Sequence, residues 1–338
     1  IKANFNIFQG TDWYANDYTT DRNLGTQDNV GNPNFDGMNT YGDENRIFVP
    51  YGAIRGNLIG GASSSLQASP LFQAAVTAGV TAQVNAQIPA ITAGVTAAVR
   101  ANFLAGNPGA SQADADAFIA SATGQATIAA GVQNQVNTLI SQNVATQLPI
   151  QANARATSKV DSISSLLSLD LRRTGLTEDK LIDNHKATSV KGDFGVYFRP
   201  FKDKSYEFSY NYRVGYGNSV YQGSERYALR NFTQQFHKAE IKGKDFFVRS
   251  YMSQTKDGDS YNMTALGAYT NEAVSASSSQ WVPTYLGNYA NPLIQTALST
   301  SAANVLANAA ALTTASHDTA RARADRPWTS LSAEQQQA

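Results

Sequence analysis

The chain has 338 residues, and its 26 basic side chains balance its 26 acidic ones, so the formal net charge is zero. This balance argues against a nucleic-acid-binding protein, since such proteins carry a strongly basic surface. The sequence contains no cysteine, which excludes disulfides, thiolate metal sites and cysteine nucleophiles.

The chain begins at Ile1, inside a segment that alternates like a strand, without an initiator methionine or a signal peptide. Such a start is typical of an internal piece of a longer protein. The sequence contains no uninterrupted apolar run of about 18 residues, the length that a membrane-spanning helix needs. It therefore predicts no such helix.

The most regular pattern lies in residues 191–251, where apolar side chains recur at every second position. One predicted face of the second strand is largely aromatic, and it carries Tyr206, Phe208, Tyr210, Tyr212, Val214 and Tyr216. Glu207, Arg213 and two glycines are among the residues of the opposite face. Strands of soluble sheets usually end after about 5–6 residues. A longer strand with one aromatic and one charged face is typical of a transmembrane β-strand.

The segment before this pattern divides into three parts. Residues 2–10 alternate and predict a strand, which is followed by a long loop rich in Asn, Asp and Gly, with aromatic residues between them. We assign residues 1–60 to this strand and loop. Residues 61–169 are rich in alanine, and Phe72, Val76, Val80, Val84 and Ile88 form a helical stripe. Ser111 with Asp114 predicts a capped helix start. This part reads as a helical insertion.

The remainder alternates short turns with longer connections. Residues 170–274 are assigned to strands and hairpins, with tight turns at 201–205 and 242–245 and a last strand fading near Tyr269. Residues 275–338 are assigned to a loop with helices. The three arginines Arg321, Arg323 and Arg326 lie close together in sequence; they read either as a charged helix surface or as a group that recognises an acidic ligand.

Several segments, in this order, resemble the TonB-dependent outer-membrane receptors of Bacteroidetes-type bacteria, in particular the SusC/RagA-like group and its relatives. They are DWYANDY, FDGMNTYGDE, RRTGLTEDKLID, FGVYFRP, GNSVYQGSERYALRNF, FHKAEIKGKDFFVRSYMSQTKDGDSY and TARARADR. The likeness is most specific over residues 193–262. The alanine-rich tract departs from the pattern of these receptors.

The resemblance implies a mainly β fold, a transmembrane antiparallel β-barrel of about 22 strands, of which this chain would be a fragment with α-helical extracellular insertions. It implies a location in the outer membrane and import of a scarce nutrient with energy supplied through TonB. TonB would be reached through a plug domain that this sequence lacks. Residues 11–46, 170–190, 218–232, 256–262 and 275–330 would be extracellular, and the turns at 201–205 and 242–245 periplasmic.

The expected partners are therefore outer-membrane lipid, TonB, a surface lipoprotein or other envelope protein, and a small-molecule, glycan or peptide ligand. Aromatic rings interleaved with polar groups can form a binding surface, although they can equally pack a loop onto its neighbours. The predicted ligand-binding residues lie in three loops: Trp13, Tyr14 and Asp17; Tyr41, Asp43 and Glu44; Tyr221, Glu225 and Arg226.

No catalytic or cofactor motif supports an enzyme. The three histidines, His185, His237 and His317, lie far apart in sequence, and no phosphate-binding or dinucleotide glycine pattern occurs. We expect no catalytic residues, no metal and no cofactor. Two alternatives to an importer stay open. One is a receptor-like component that docks into a larger envelope complex, and the other is a secreted all-β binding module.

Overall fold

The structure, a computed structural model, describes residues 1–14 and 39–332. It is 56% helical and 26% strand, so the predicted mainly β fold is wrong. The strands of the described ranges form open sheets, and none of them closes into a barrel. The β-pattern of residues 191–251 dominated the prediction, whereas good helix formers such as Ala and Gln occupy much more of the chain.

Strands and helices occur in groups along the chain. The strands are β1 Lys2–Thr11, β2 Thr40–Tyr41, β3 Arg46–Val49, β4 Leu169–Arg172, β5 Leu176–Thr177, β6 Lys186–Phe198, β7 Glu207–Gln222, β8 Arg226–Lys242, β9 Phe247–Lys256 and β10 Tyr261–Asn262. The helices are α1 Tyr51–Ala68, α2 Pro70–Asn85, α3 Ile88–Gly106, α4 Gln112–Ala120, α5 Ala122–Ser162, α6 Glu178–Leu181, α7 Met263–Val274, α8 Val282–Ser299, α9 Ala302–Ala307, α10 Ala309–Ala324 and α11 Arg326–Thr329.

The chain forms two compact units. The sheet unit comprises Ile1–Val49, Leu169–Tyr289 and Ala315–Ala338, and the helical unit comprises Pro50–Ser168 and Ala290–Thr314. The helices begin at Tyr51, ahead of the change in composition near Gly60. Each unit has its own set of buried residues.

The large sheet of the sheet unit has the order β1-β6-β7-β8-β10, and β9 also pairs with β8. All of these pairs are antiparallel. The register places Phe194 opposite Tyr212 and Phe198 opposite Phe208, which confirms the predicted alternation. The resulting aromatic face exposes Phe5, Ile7, Phe194, Phe198, Phe208, Tyr210, Tyr216, Ile241, Val248 and Met252.

The opposite, charged face is held by ion pairs across neighbouring strands. Arg213 Nε lies 2.8 Å from Asp193 Oδ1, and Arg249 Nε donates to Glu240 Oε2 at 2.5 Å. Directly opposite residues in antiparallel strands have side chains within reach of each other, so these pairs follow from the register. The sheet therefore has two faces of different chemistry.

The turn predictions had different outcomes. The tight turns at 201–205 and 242–245 are confirmed, since β6 and β7, and β8 and β9, end and begin around them. The long loop predicted at 218–232 is wrong, because β7 and β8 continue with Tyr221 opposite Tyr227. Their connection is a tight turn closed by Gly223 N–H, which donates to Glu225 O at 2.9 Å.

The helical unit follows its apolar stripe. Val76, Val80 and Val84 of α2 are buried against Ile91 of α3 and Val136 of α5. The predicted cap at Ser111 is confirmed, and its side chain and that of Asp114 exchange hydrogen bonds with each other's backbone N–H. Helix α3 is by length and composition apolar enough to cross a membrane. The most apolar 18-residue stretch of this helix has a mean hydropathy of 1.3, and 6% of the stretch is buried. The sequence did not predict this helix as a candidate span.

Two segments predicted as strand or loop are helical. Residues 263–269 belong to α7, which Asn262 caps by accepting a hydrogen bond from Ala265 N at 3.0 Å. Residues 282–292, predicted as a loop, belong to α8. Trp281, Tyr285 and Tyr289 share one face through their four-residue spacing, and all three are buried. Burial of these rings offsets the weak helix preference of the Pro, Gly and Asn residues around them.

Candidate functional site

A buried carboxylate organises one end of the sheet unit. Glu178, the first residue of α6, is completely buried. Arg226, the first residue of β8, lies against it, with Nη2 donating to Oε1 at 2.8 Å and Nε 2.7 Å from Oε2. His185 Nε2 contacts Oε1 at 2.5 Å, and Tyr41 Oη donates to Oε2 at 3.4 Å. We call these four residues the Glu178 cluster.

Two predicted site residues close the outer side of the Glu178 cluster. Arg226 Nη2 also donates to Trp13 O at 2.8 Å, and its guanidinium lies 4.5 Å from the centre of the Trp13 ring. The Tyr14 ring meets His185 edge-on, with centroids 4.6 Å apart. Trp13 remains 57% exposed, so an aromatic surface covers the buried ion pair and still faces solvent.

A second group lies at the loop after β2. Asp43 is buried and accepts a hydrogen bond from Thr40 Oγ1 at 3.0 Å. Arg172 Nη1 donates to the carbonyls of Asp43, at 3.1 Å, and of Glu44, at 2.6 Å. Glu44 accepts from Gly42 N–H at 2.8 Å, and its burial raises its pKa. These carboxylates hold the loop in place.

The structure thus sorts the predicted ligand-binding residues. It brings Trp13, Tyr14, Tyr41 and Arg226 together, while Asp43 and Glu44 have their carboxylates turned to their own loop. Tyr221 and Glu225 lie at the β7–β8 turn, where the Tyr221 ring packs at 6.5 Å from Tyr227. Glu225 accepts hydrogen bonds from Tyr227 Oη at 3.2 Å and from Asn262 Nδ2. Asp17 lies outside the described residues.

The sheet unit also contains a cavity of about 410 Å³. Its wall includes the indole ring of Trp328, the cations Arg173 and Lys180, the carboxylate of Asp325 and the polar side chains of Asn271 and Thr174. The Lys180 ammonium lies 5.5 Å from the centre of the Trp328 ring. Trp328 also packs against the buried apolar cluster of Tyr41, Leu176 and Leu181. We call this space the Trp328 cavity.

Buried arginines fix the inner wall of this cavity. Arg173 Nη1 donates to Ser275 O and Ser277 Oγ, both at 2.8 Å, and Nη2 donates to Asn271 O at 3.1 Å. Arg321 donates to Thr174 Oγ1 at 2.9 Å. Burial lowers the pKa of both guanidinium groups, since removal from water disfavours the charged form. Carbonyl and hydroxyl acceptors offset part of this cost.

Of the two interpretations of the arginine group near the C-terminus, neither holds for Arg321. This residue is buried within the sheet unit and binds protein groups, whereas Arg323 and Arg326 are exposed. Asp325, between them, accepts from Trp281 Nε1 at 2.8 Å and from Thr174 Oγ1. The segment therefore supports the cavity wall instead of presenting three free cations.

Sequence reasoning missed Glu178, His185, Arg173 and Trp328. No local spacing relates Glu178 to Arg226, and the only signal was the pair of arginines at 172–173 between the apolar residues Leu171 and Leu176. Charged residues in an apolar run are buried only when they find partners. Within the described ranges, no group of three or more His, Asp or Glu side chains is arranged to hold a metal ion.

Comparison with known protein families, with curated proteins and with solved structures gave no match to this chain.

Proposed function

We propose that this chain is part of an outer-membrane receptor of the TonB-dependent kind, which imports a scarce nutrient. Its aromatic face meets membrane lipid, and the Glu178 cluster and the Trp328 cavity lie on the side that receives the ligand. The resemblance of residues 193–262 to such receptors motivates this proposal, and the chemistry of the sheet supports it.

One observation carries the proposal: the aromatic face is large and exposed, while the other face of the same strands carries the ion pairs and exposes Phe8, Phe247 and Tyr251 beside them. Phe5, Phe198 and Val248 are each at least 61% exposed. Soluble monomers rarely expose contiguous apolar patches of more than a few hundred Å². A lipid environment on one side and water on the other satisfies both faces.

The test uses two variants of β7 that add one carboxylate to opposite faces. Val214→Asp puts a charge on the aromatic face in the middle of β7, and Asn211→Asp puts one on the charged face, opposite Lys238. We expect Val214→Asp to lower the amount of folded receptor in outer membranes, because a carboxylate in hydrocarbon is costly, and Asn211→Asp to have little effect. A protein that purifies as a folded monomer in aqueous buffer without detergent would refute the proposal.

The ligand side is tested by uptake. Cells that produce the receptor are given a panel of metal chelates, oligosaccharides and peptides, with and without a protonophore that removes the energy source of TonB. For any compound whose uptake depends on the receptor and on that energy, Trp328→Ala and Lys180→Gln are expected to raise the half-saturating concentration. Lys186→Gln, which removes an exposed lysine from β6, is the control.

A second candidate function is a docking component of an envelope complex. It is favoured by α3, an apolar helix in which Ile91 is buried and most of the other residues are exposed. Deletion of residues 61–165 separates the two functions. Loss of co-purifying envelope proteins with unchanged uptake favours docking, whereas unchanged partners with lost uptake favour the receptor.

A further inference from the structure

The two confirmed tight turns of the sheet form a basic cleft. Its volume is about 490 Å³, and it is lined by the turn between β6 and β7, the start of β7, the end of β8 and the turn between β8 and β9. The charged residues on its wall are Arg199, Asp203, Lys204, Glu207, Lys242 and Lys244. We call it the turn cleft.

The positive charge of the turn cleft is not neutralised within the protein. Arg199 Nε donates to Glu207 Oε2 at 2.6 Å, so these two charges cancel. Asp203 accepts from Ser205 N–H at 3.1 Å and from Ser205 Oγ at 2.9 Å. Among the described residues, no carboxylate lies within ion-pair distance of the amines of Lys204, Lys242 and Lys244. The cleft therefore carries unpaired cations.

The backbone holds one of these lysines in an unfavourable conformation. Lys204 has a φ of 57°, in the left-handed region that residues other than Gly and Asn seldom adopt. Its N–H donates to Phe201 O at 3.1 Å, which closes the turn. Such local strain is often found where a side chain is needed at a fixed place.

Three aromatic rings lie at the same end of the sheet. Phe201 and Tyr206 have ring centroids 5.8 Å apart, and Tyr206 and Phe246 6.0 Å apart. All three are exposed by 38–54%. The Phe246 ring covers Gly243, which itself lines the turn cleft; a Cβ there would be 2.4 Å from the ring. The aromatic rings and the cations therefore border each other.

We infer that the turn cleft binds the phosphate headgroup of an anionic glycerophospholipid, whose acyl chains lie along the neighbouring rings of Phe201, Tyr206 and Phe246. Aromatic rings concentrate at the level of lipid headgroups, and basic residues beside them attract anionic lipid by about 1 kcal/mol each. A phosphodiester complements the three unpaired ammonium groups. The inference rests on the membrane location proposed above.

The experiment measures lipid retention by the whole receptor. Protein in detergent is mixed with equal amounts of phosphatidylglycerol and phosphatidylcholine, and the bound lipids are counted by native mass spectrometry. The variant K242Q/K244Q removes two cleft lysines. Its matched control, K186Q/K256Q, removes two exposed lysines from the other end of the sheet. Lys186 of β6 lies opposite Thr11 there, and Lys256 of β9 lies opposite Thr233.

The wild type and K186Q/K256Q are expected to retain phosphatidylglycerol in preference to phosphatidylcholine. K242Q/K244Q is expected to lower this preference roughly thirtyfold. Lys204→Asn replaces the double variant in this test if the double variant folds poorly, since asparagine suits the left-handed turn. It is expected to lower the preference for phosphatidylglycerol roughly fivefold.

Three outcomes overturn the inference: an unchanged preference in K242Q/K244Q and Lys204→Asn, an equal loss in K186Q/K256Q, or displacement of phosphatidylglycerol by millimolar inorganic phosphate. The last would identify free phosphate as the ligand. Failure of the proposed receptor function gives a different result, namely a folded protein in aqueous buffer that retains neither lipid.

Discussion

Glu178 and Arg226, 48 residues apart in sequence, form an ion pair whose side chains are 0% and 2% exposed. The guanidinium reaches both carboxylate oxygens and continues to the backbone of Trp13. The pair thus joins α6, β8 and the segment that follows β1. Desolvating two charges is costly, but leaving one of them without its partner costs more.

We therefore predict that Arg226→Ala lowers the free energy of unfolding by about 3–5 kcal/mol, because it leaves the Glu178 carboxylate buried and unpaired. All three tryptophans lie in the sheet unit, so tryptophan fluorescence during denaturant unfolding reports on this unit. Arg213→Ala, which breaks the exposed pair with Asp193, is the control and should cost below about 1 kcal/mol. Equal costs for the two variants would contradict a buried pair.

Gly42 is the second position for a test, since its φ is 92° and a Cβ there would be 2.5 Å from the backbone carbon of Gly267. We expect Gly42→Ala to destabilise the sheet unit by at least about 2 kcal/mol, from left-handed strain and from the clash. Gly215→Ala in β7, where nothing lies within 4 Å of the added Cβ, is the matched control. Similar fluorescence unfolding curves for both variants would show that β2 and α7 are not in close contact.

A pair of leucines tests the packing of the helical unit. Leu66 of α1 is 8% exposed, whereas Leu71 of α2 is 86% exposed. Leu66→Ala is expected to cost about 2–5 kcal/mol, because it removes a buried side chain and leaves a cavity. Leu71→Ala should change the stability by less than about 0.5 kcal/mol. Loss of helical circular dichroism with denaturant measures both, and a larger cost at Leu71 would reject this packing.

Asp161 gives the helical unit a predicted pH dependence. Hydrogen bonds from Arg55, at 2.7 Å, and from Tyr51 lower the pKa of Asp161 to about 2, from its ordinary value of 3.8. The folded state therefore favours the charged carboxylate. Its contribution to stability is complete above pH 3.8 and is lost as the pH falls through about 2.

Asp161→Asn is expected to lower the stability at neutral pH and to flatten this part of the pH profile. Arg55→Gln should have the same effect to a smaller extent, because Tyr51 Oη still donates to the carboxylate. Thermal unfolding followed by circular dichroism from pH 5 to pH 2 measures both variants. An Asp161→Asn profile that falls as steeply as that of the wild type would disprove this role.

Local patterns in the sequence were enough to predict β1, β6 and β7, the tight turns at 201–205 and 242–245, and the capped start of α4. Each depends on side chains only a few residues apart: the alternation of Phe194 with Gly195, or the spacing of Ser111 and Asp114. For α7 and the first turns of α8, local patterns misled. There the long-range burial of Met263, Trp281 and Tyr285 decided the structure.

By itself, the sequence determined that the strands of residues 191–251 have one aromatic and one charged face, because that property follows from the period of two. Only the tertiary structure decided that the sheet is open, that Arg226 is paired with a buried Glu178, and that Arg321 supports a wall instead of presenting its charge. The physical reason is that desolvation makes a buried charge depend on which distant groups the fold brings within about 3 Å of it.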